Sequence, residues 1–170
     1  MILVSYDGSS DARAAIDHVA QLMPGARATI LSVWVPFADA LARTASPGMG
    51  VSLGIYEYAE AGGIDAVNRA AALATATEGA RRATAAGLVA RPQAQSANGD
   101  VAMTIRDVAA ELDAQAIVLG TRGLSGVKSF LLGSVSHAIV QHADRAVLVV
   151  PSPALARRRR RQAGRGTAPV

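Results

Sequence analysis

The chain has 170 residues, of which 51% are hydrophobic, 4% are aromatic and none is cysteine, and it carries a net charge of +4. This size predicts one domain with a substantial core, and the lack of cysteine excludes a disulfide framework and thiolate chemistry. No stretch approaches the roughly 18 apolar residues of a membrane span, and the apolar start is too short for a signal peptide, so we expect a cytoplasmic protein.

The first half of the chain alternates apolar runs with helical patterns. Residues 1–6 are almost continuously apolar, which predicts a strand buried on both faces. The turn Asp7-Gly8-Ser9-Ser10 offers N-cap chemistry for a helix that Pro24-Gly25 ends. Residues 28–35 predict a second strand, and residues 37–54, rich in Ala, Gly, Ser and Pro, predict a mobile loop.

The second half continues the alternation. Residues 55–86 have helical spacing, with Gly62-Gly63 favouring a start near Ile64 or a break in a longer helix. Residues 88–97 predict a weaker strand at a sheet edge, because Pro92 lacks the N–H that a central strand donates. The remaining predictions are a helix at 101–112, a strand at 116–119, a helix at 134–142 and a strand at 146–150.

The positive charge is concentrated at the C-terminus. Six arginines, Arg157–Arg161 and Arg165, lie in the last 14 residues, and without them 11 basic residues face 13 acidic ones. The segment repels itself and lacks apolar periodicity, so we predict a disordered tail over residues 154–170 after a domain of residues 1–153. Such a tail either attracts nucleic acid or an anionic membrane surface, or is simply solvated; the absence of interleaved aromatics favours the solvated tail.

Alternating strands and helices predict a parallel sheet that helices cover on both faces. Ligands of such sheets bind at the carboxyl ends of the strands, where the strand order reverses. Asp7 follows the first strand, Val33 ends the second, and a glycine-rich loop at residues 120–134 follows the fourth. All three are therefore expected at one edge of the sheet.

The loop GTRGLSGVKSFLLGS, residues 120–134, contains four glycines. Glycine lets backbone N–H groups approach a phosphate closely, and Gly133-Ser134 begins a predicted helix whose dipole favours an anion. The Ser134 hydroxyl could cap that helix or bond a phosphate oxygen, and Arg122 and Lys128 add positive charge. The spacing is not the Walker pattern. These residues alone leave open an anion site and an ordinary glycine-capped loop.

The stretch GTRGLSGVKSFLLGSVSHAIVQHADRAVLVVP resembles the C-terminal signature of the universal stress protein family. The ATP-binding branch of this family carries G-x2-G-x9-G-[S/T], and the pattern falls here on Gly120, Gly123, Gly133 and Ser134. The segments ILVSYDGSSDARAAID and LSVWVP are similar to the family's first strand and the segment after its second. The resemblance covers residues 1 to about 153.

The resemblance implies an α/β fold of the Rossmann-like, adenine nucleotide alpha hydrolase-like type. In that fold a five-stranded parallel sheet of order 3-2-1-4-5 lies between helices. It also implies a homodimer paired through the last strand, Ala146 to Val150, and ATP, with or without Mg²⁺, in a cleft at the strand ends.

The resemblance further assigns the nucleoside end of the ligand. By position, Asp7 would bond the ribose and Val33 would pack on the adenine. Leu119, directly before the first motif glycine, would lie close to the nucleotide. Gly120 would end the strand at the ligand and let the loop turn.

The resemblance places the phosphates of the nucleotide at the glycine loop and at the helix that follows it. By the same resemblance, Gly123, Gly133 and Ser134 would bind the phosphates, and Val135 would add a backbone contact. A Mg²⁺ ion beside Asp7 would depend mainly on phosphate and water oxygens, because one carboxylate supplies few ligands.

Other residues give little support for catalysis. Ser134, His137 and Asp144 are close in sequence, but capping and phosphate binding already explain the serine, so we expect no triad. His18 and His142 lack metal-ligand spacing. Trp34 either lines the base pocket or covers the core. Without a placed general base we expect at most slow ATP hydrolysis.

Three classes of function follow. We favour an ATP-binding regulatory homodimer of the stress response, which is a binding module rather than an enzyme. One alternative is a nucleotide-free interaction scaffold of the same fold, in which the glycines serve only turns. Another is a nucleic-acid-associated protein that uses the arginine tail.

Overall fold

The computed structural model describes residues 1–44, 63–121, 123 and 132–163. Strands and helices alternate through most of them, as the sequence predicts. The elements are β1 (Ile2–Ser5), α1 (Ser10–Leu22), β2 (Arg27–Trp34), α2 (Phe37–Thr44), α3 (Gly63–Ala85), β3 (Val89–Ser96), α4 (Val101–Glu111), β4 (Ala116–Gly120), α5 (Ser134–His142), β5 (Ala146–Val150) and α6 (Pro153–Ala163).

The five strands form one parallel sheet in the order β3-β2-β1-β4-β5. Strand β1 is central, and its Val4 lies opposite Ile30 of β2 and Val118 of β4. Strand β3 is at an edge and contains Pro92, as predicted. The α/β fold and its strand order are therefore confirmed, and the order reverses between β1 and β4.

Two apolar clusters fill the space between the sheet and its helices. The first joins β1, β2 and β4 to helices α1 and α3, and the second joins the opposite face of the same strands to α4 and α5. Strand β1 contributes Val4 to the first cluster and Leu3 to the second. This alternation follows from side chains pointing to opposite faces of a strand, and it explains the continuous apolar run of β1.

Helix α3 approaches the sheet through small side chains. Its buried residues are Ala72, Ala76, Gly79, Ala80 and Ala83. A Cβ atom at Gly79 would lie 2.7 Å from Cδ1 of Tyr6 and 2.9 Å from Cγ2 of Ile30. The small residues therefore let the helix backbone lie close to the ring of Tyr6.

Tyr6 follows β1 and is only 1% exposed. Its hydroxyl donates a hydrogen bond to Oε2 of Glu78, and Nε of Arg13 lies 3.7 Å from Oε1 of the same carboxylate. Burial, reinforced by Glu78, raises the pKa of Tyr6 to about 12, because both disfavour the tyrosinate anion.

We expect the free energy of unfolding to fall as the pH rises from 10 to 12. The unfolded chain releases the Tyr6 proton near its ordinary pKa of 10.0, whereas the folded chain holds it up to about 12. The contribution of Tyr6 to the free energy of unfolding is therefore fully present below pH 10. About 1.4 kcal/mol of this stability is lost by about pH 11. Urea denaturation between about pH 8 and pH 11 measures the loss. The Tyr6→Phe variant should lack this component, so an equal slope in both proteins would contradict the assignment.

The mobile loop predicted for residues 37–54 is wrong over its first part, where helix α2 forms. Pro36 precedes the helix and its carbonyl accepts the N–H of Ala40 at 3.0 Å. The N–H of Phe37 donates to Oδ1 of Asp65 at 2.8 Å, which ties α2 to the start of α3. Alanine and leucine in FADALART favour a helix once it is tethered. The rest of the predicted loop and the possible helical segment before Gly63 lie outside the described residues.

The disordered tail predicted from residue 154 is also wrong up to residue 163, because these residues belong to α6. Pro153 suits the first helical position, and the Ser152 carbonyl accepts the N–H of Ala156 at 2.9 Å. Leu155 is only 8% exposed and so anchors the helix on the domain. Arginine and alanine are good helix formers. Residues 164–170 lie outside the described residues.

No helix in the described part of the chain has both the length and the apolar character that a membrane crossing requires.

Candidate functional site

A cleft opens at the carboxyl ends of β1 and β4, where the strand order reverses. All eight residues that the sequence analysis selected line it, together with five others. The selected residues are Asp7, Val33, Leu119, Gly120, Gly123, Gly133, Ser134 and Val135, and the others are Ser5, Tyr6, Ala12, Val101 and Ser136. The structure thus brings together segments that are up to about 130 residues apart in the chain.

Asp7 lies on the wall of the cleft directly after β1. Its Oδ1 atom accepts the backbone N–H of Ser9 at 2.9 Å, which fixes the carboxylate against the turn. A Cβ atom at Gly123 would lie 2.6 Å from Oδ2 of Asp7. The glycine is therefore required for the close approach of the loop backbone to this carboxylate.

Gly120 ends β4 in contact with the first turn of α1. A Cβ atom there would lie 2.7 Å from the carbonyl carbon of Asp11 and 2.9 Å from the nitrogen of Ala12. The Ser136 hydroxyl donates to the Gly120 carbonyl at 2.8 Å, which links α5 to the end of β4. Gly120 thus allows the strand and two helices to meet at the base of the cleft.

Thr121 fixes the entry to the glycine loop. Its N–H donates to the Val150 carbonyl at 3.0 Å, and its hydroxyl donates to Oδ2 of Asp11 at 2.7 Å. Its carbonyl accepts the N–H of Gly133 at 2.8 Å. The two ends of the loop are therefore hydrogen bonded to each other, so the N-terminus of α5 lies at the cleft.

Helix α5 presents its N-terminus to the cleft. Gly133 is the N-cap residue and Ser134 is the first helical residue. The alternative that Ser134 caps the helix is therefore wrong, because the cap position lies one residue earlier. The first N–H groups of a helix have no intrahelical acceptor, and with the helix dipole they form a favourable environment for an anion.

Part of the cleft lining is apolar. Leu119 is buried, and Val33, Val101 and Val135 are partly buried against the same apolar cluster. Sequence reasoning missed Val101, the first residue of α4. The turn Asn98-Gly99-Asp100 follows β3 at the same edge of the sheet, so it indicates that Val101, the next residue, lies near the cleft.

The other sequence candidates do not join the cleft. His137 is exposed on α5. Asp144 follows the C-terminus of α5, whereas Ser134 is at its N-terminus. The Oδ1 atom of Asp144 lies 2.8 Å from Nε of Arg145, so Ser134, His137 and Asp144 do not form a triad. Trp34, which is partly exposed at the end of β2, is not among the described residues that line the cleft. Arg122 and Lys128 lie outside the described residues.

The fold and the cleft define a class. A five-stranded parallel sheet with an anion-suited cleft where the strand order reverses is typical of doubly wound α/β proteins that bind ligands at their strand ends. The family model of the universal stress protein family matches residues 1–151. The chain belongs to this family.

Individual relatives agree with the family match. A universal stress protein of Thermus aquaticus is 32% identical over 151 residues, which covers 88% of this chain and 96% of the relative. The universal stress protein Sll1388 of Synechocystis is 44% identical over 52 residues, or 31% of this chain. In that match the chain spans only 34% of the length of the relative.

Solved structures share the fold. The universal stress protein UspA of Lactobacillus plantarum has a TM-score of 0.65 at 23% identity, over 88% of this chain and 95% of its own. A universal stress protein in complex with cAMP has a TM-score of 0.55 at 24% identity, over 89% and 95%. A family protein of Arabidopsis thaliana with AMP bound has a TM-score of 0.55 at 13% identity, over 90% and 92%.

Proposed function

We propose that the protein is an ATP-binding regulatory homodimer of the stress response. The observation that carries this proposal is the assembly of all eight selected residues around one cleft. Adenine nucleotides in the related structures with cAMP and AMP support the class of ligand. The preference for ATP rests on the glycine spacing of this chain, in which Gly123 and Gly133 border the cleft beside the start of α5.

The geometry of the cleft suits the two ends of a nucleotide differently. The apolar residues Val33, Val101 and Leu119 offer a surface for the flat adenine ring. The N-terminus of α5 and the backbone at Gly123 offer N–H groups to the phosphates. Any side chain at Gly123 would enter the space beside Asp7. The ligand that this arrangement fits has an apolar aromatic end and an anionic end.

Asp7 is suited to the ribose between these ends. Its Oδ1 atom already accepts the Ser9 N–H, but a carboxylate has about four acceptor positions and can also accept from sugar hydroxyls. We propose that any Mg²⁺ enters with the nucleotide and is held mainly by phosphate and water oxygens. This fits the described residues, among which no group of three metal-binding side chains occurs.

We further propose that hydrolysis is slow at most. Among the described residues that line the cleft, the titratable side chains are Tyr6 and Asp7. The Tyr6 hydroxyl donates to Glu78 and its pKa is raised to about 12, so it does not act as a base. Asp7 is assigned to the ribose. The cleft therefore contains groups that bind a nucleotide without a described group that activates water.

The homodimer is proposed to form through β5. This strand is at the edge of the sheet, and Val147, Leu148 and Val149 remain partly exposed. An apolar edge strand of this kind is protected when a second copy covers it. Sedimentation velocity should give the mass of two chains.

Isothermal titration calorimetry with ATP tests the nucleotide proposal. We expect one ATP per chain, and an Asp7→Asn variant should bind ATP about tenfold more weakly because it loses charge-assisted hydrogen bonds from the ribose. Asparagine retains an oxygen for the Ser9 N–H, so the turn should persist. With 2′,3′-dideoxy-ATP, which lacks both hydroxyls, wild type and variant should bind almost equally.

Two outcomes would contradict the proposal. If wild-type protein bound no ATP and released no nucleotide on acid precipitation, the protein would be a scaffold of the same fold. If the Asp7→Asn variant lost the same factor with both nucleotides, the ribose assignment would be wrong.

A further inference from the structure

A second cavity lies next to the proposed nucleotide cleft and shares Gly123 with it. One wall is the first turn of α1, with Ser9, Ser10 and Asp11. The other wall comes from the C-terminal segment, with Leu155 and Arg158 of α6. Because Gly123 borders both cavities, a ligand that passes this glycine from the cleft would enter the second cavity.

The packing of α6 directs Arg158 toward the domain. Leu155 is only 8% exposed and anchors the helix, and residues three apart lie on the same helix face. Arg158 therefore shares the anchored face with Leu155 and lines the second cavity. Both arginines are exposed, but Arg160 lies on the opposite side of the helix from Arg158, two residues or about 200° away, and does not line the second cavity.

The second cavity has the chemistry of a phosphate environment. It combines the N-terminal turn of α1, in which the Ser9 hydroxyl accepts the Ala12 N–H at 3.1 Å, with an arginine guanidinium. Among the described residues that line the cavity, Asp11 is the one carboxylate, and it is only 6% exposed. Oδ1 of Asp11 accepts from the Ser10 hydroxyl at 3.3 Å, and Oδ2 accepts from Thr121 at 2.7 Å. These hydrogen bonds and the nearby arginine reduce its repulsion of an anion.

We propose that Arg158 contacts the phosphates beyond the first one of a nucleotide bound in the cleft. The inference rests on the proposed nucleotide function and deepens it. The nucleoside occupies the cleft beside Asp7 and Val33, the first phosphate lies between Gly123 and the N-terminus of α5, and the end of the phosphate chain extends past Gly123 toward α6. Arg158 then determines the preference for ATP over AMP, and the arginine-rich helix becomes part of the binding site.

Calorimetry with ATP and with AMP on the full chain tests this inference at one fixed ionic strength. The Arg158→Ala variant should bind ATP about tenfold more weakly, because a charge-assisted hydrogen bond is lost, while its affinity for AMP should change less than about twofold. The Arg160→Ala variant removes the same charge from the same helix and should change neither affinity by more than about twofold. Arg158→Lys should be intermediate, because lysine retains the charge but not the bidentate geometry.

Each other outcome has a distinct meaning. Wild-type ATP binding that Arg158→Ala leaves unchanged would overturn the role of Arg158 while the proposed function stands. If Arg158→Ala and Arg160→Ala weakened ATP binding equally, the effect would come from the overall positive charge of α6, and the specific contact of Arg158 would be wrong. Wild-type protein that binds neither ATP nor AMP would overturn both proposals. Alanine favours the helix, and far-UV circular dichroism would show that α6 persists in the variants.

Discussion

The Gly123→Val variant is expected to bind ATP at least about 100-fold more weakly than the wild type while it remains folded. A Cβ atom at this position would lie 2.6 Å from Oδ2 of Asp7, and within the described part of the chain only this carboxylate lies within 4 Å of it. The added methyl groups would therefore displace Asp7 and occupy the space that the phosphates need. Gly123 is not in the left-handed region, so valine introduces no backbone strain there.

Calorimetry with ATP measures this loss, and thermal unfolding shows whether the fold is retained. Gly63→Val is the matched control, because Gly63 is exposed and none of the described residues comes within 4 Å of an added Cβ atom. The control should bind ATP like the wild type. If Gly123→Val also bound ATP like the wild type, the ligand would lie elsewhere and the assignment of the cleft would be wrong.

The Gly120→Ala variant is expected to lose about 3 kcal/mol of unfolding free energy, the upper end of the usual cost of overpacking, because the atoms that oppose the added methyl group include backbone. The added Cβ atom would lie 2.7 Å from both the carbonyl carbon and the Cβ of Asp11, and 2.9 Å from the Ala12 nitrogen. Neither α1 nor β4 can yield without disturbing their contact in the core. A single methyl group should therefore have a large effect.

Urea denaturation measures this effect, with Gly63→Ala as the control. Since alanine is the better helix former, the control should be unchanged or more stable by up to about 1 kcal/mol. A Gly120→Ala protein within about 1 kcal/mol of the wild type would mean that β4 and α1 are less closely packed than described. A Gly120→Ala chain that is recovered only as insoluble protein, while Gly63→Ala is soluble, would agree with the expected loss.

Local patterns were sufficient to predict the strands, their parallel arrangement and most helices, whereas the strand order came from the family resemblance. The apolar run of β1 and the proline in β3 each specify a place in a parallel sheet, because burial on both faces and a missing N–H have direct structural consequences. Helices α2 and α6 were not predicted, because local sequence patterns do not determine them. Each depends on a tertiary contact, the Phe37–Asp65 hydrogen bond in one and the buried Leu155 in the other.

The candidate site could also be predicted from the sequence only in part. Strand-end positions indicated Asp7, Val33 and the glycine loop, the resemblance to the universal stress protein family added Leu119 and Val135, and all eight selected residues line one cleft. The sequence could not show that Gly123 lies against Asp7 or that Gly120 lies against Asp11, because these contacts join segments more than 100 residues apart. The contact of α6 with the neighbouring cavity could not be predicted, because the run of arginines is typical of a solvated tail.

The pairing of β1 with β4 has a consequence for how the site comes into existence. Ile2 lies opposite Ala116, so the central pair of strands closes a loop of more than 100 residues, and contacts of such sequence separation form slowly. During synthesis, β1 and the Asp7 turn emerge well before β4 and α5, so the cleft is complete only after α5 has left the ribosome. A nascent chain therefore has no cleft to fill, and nucleotide capture would mark a chain whose folding is almost complete.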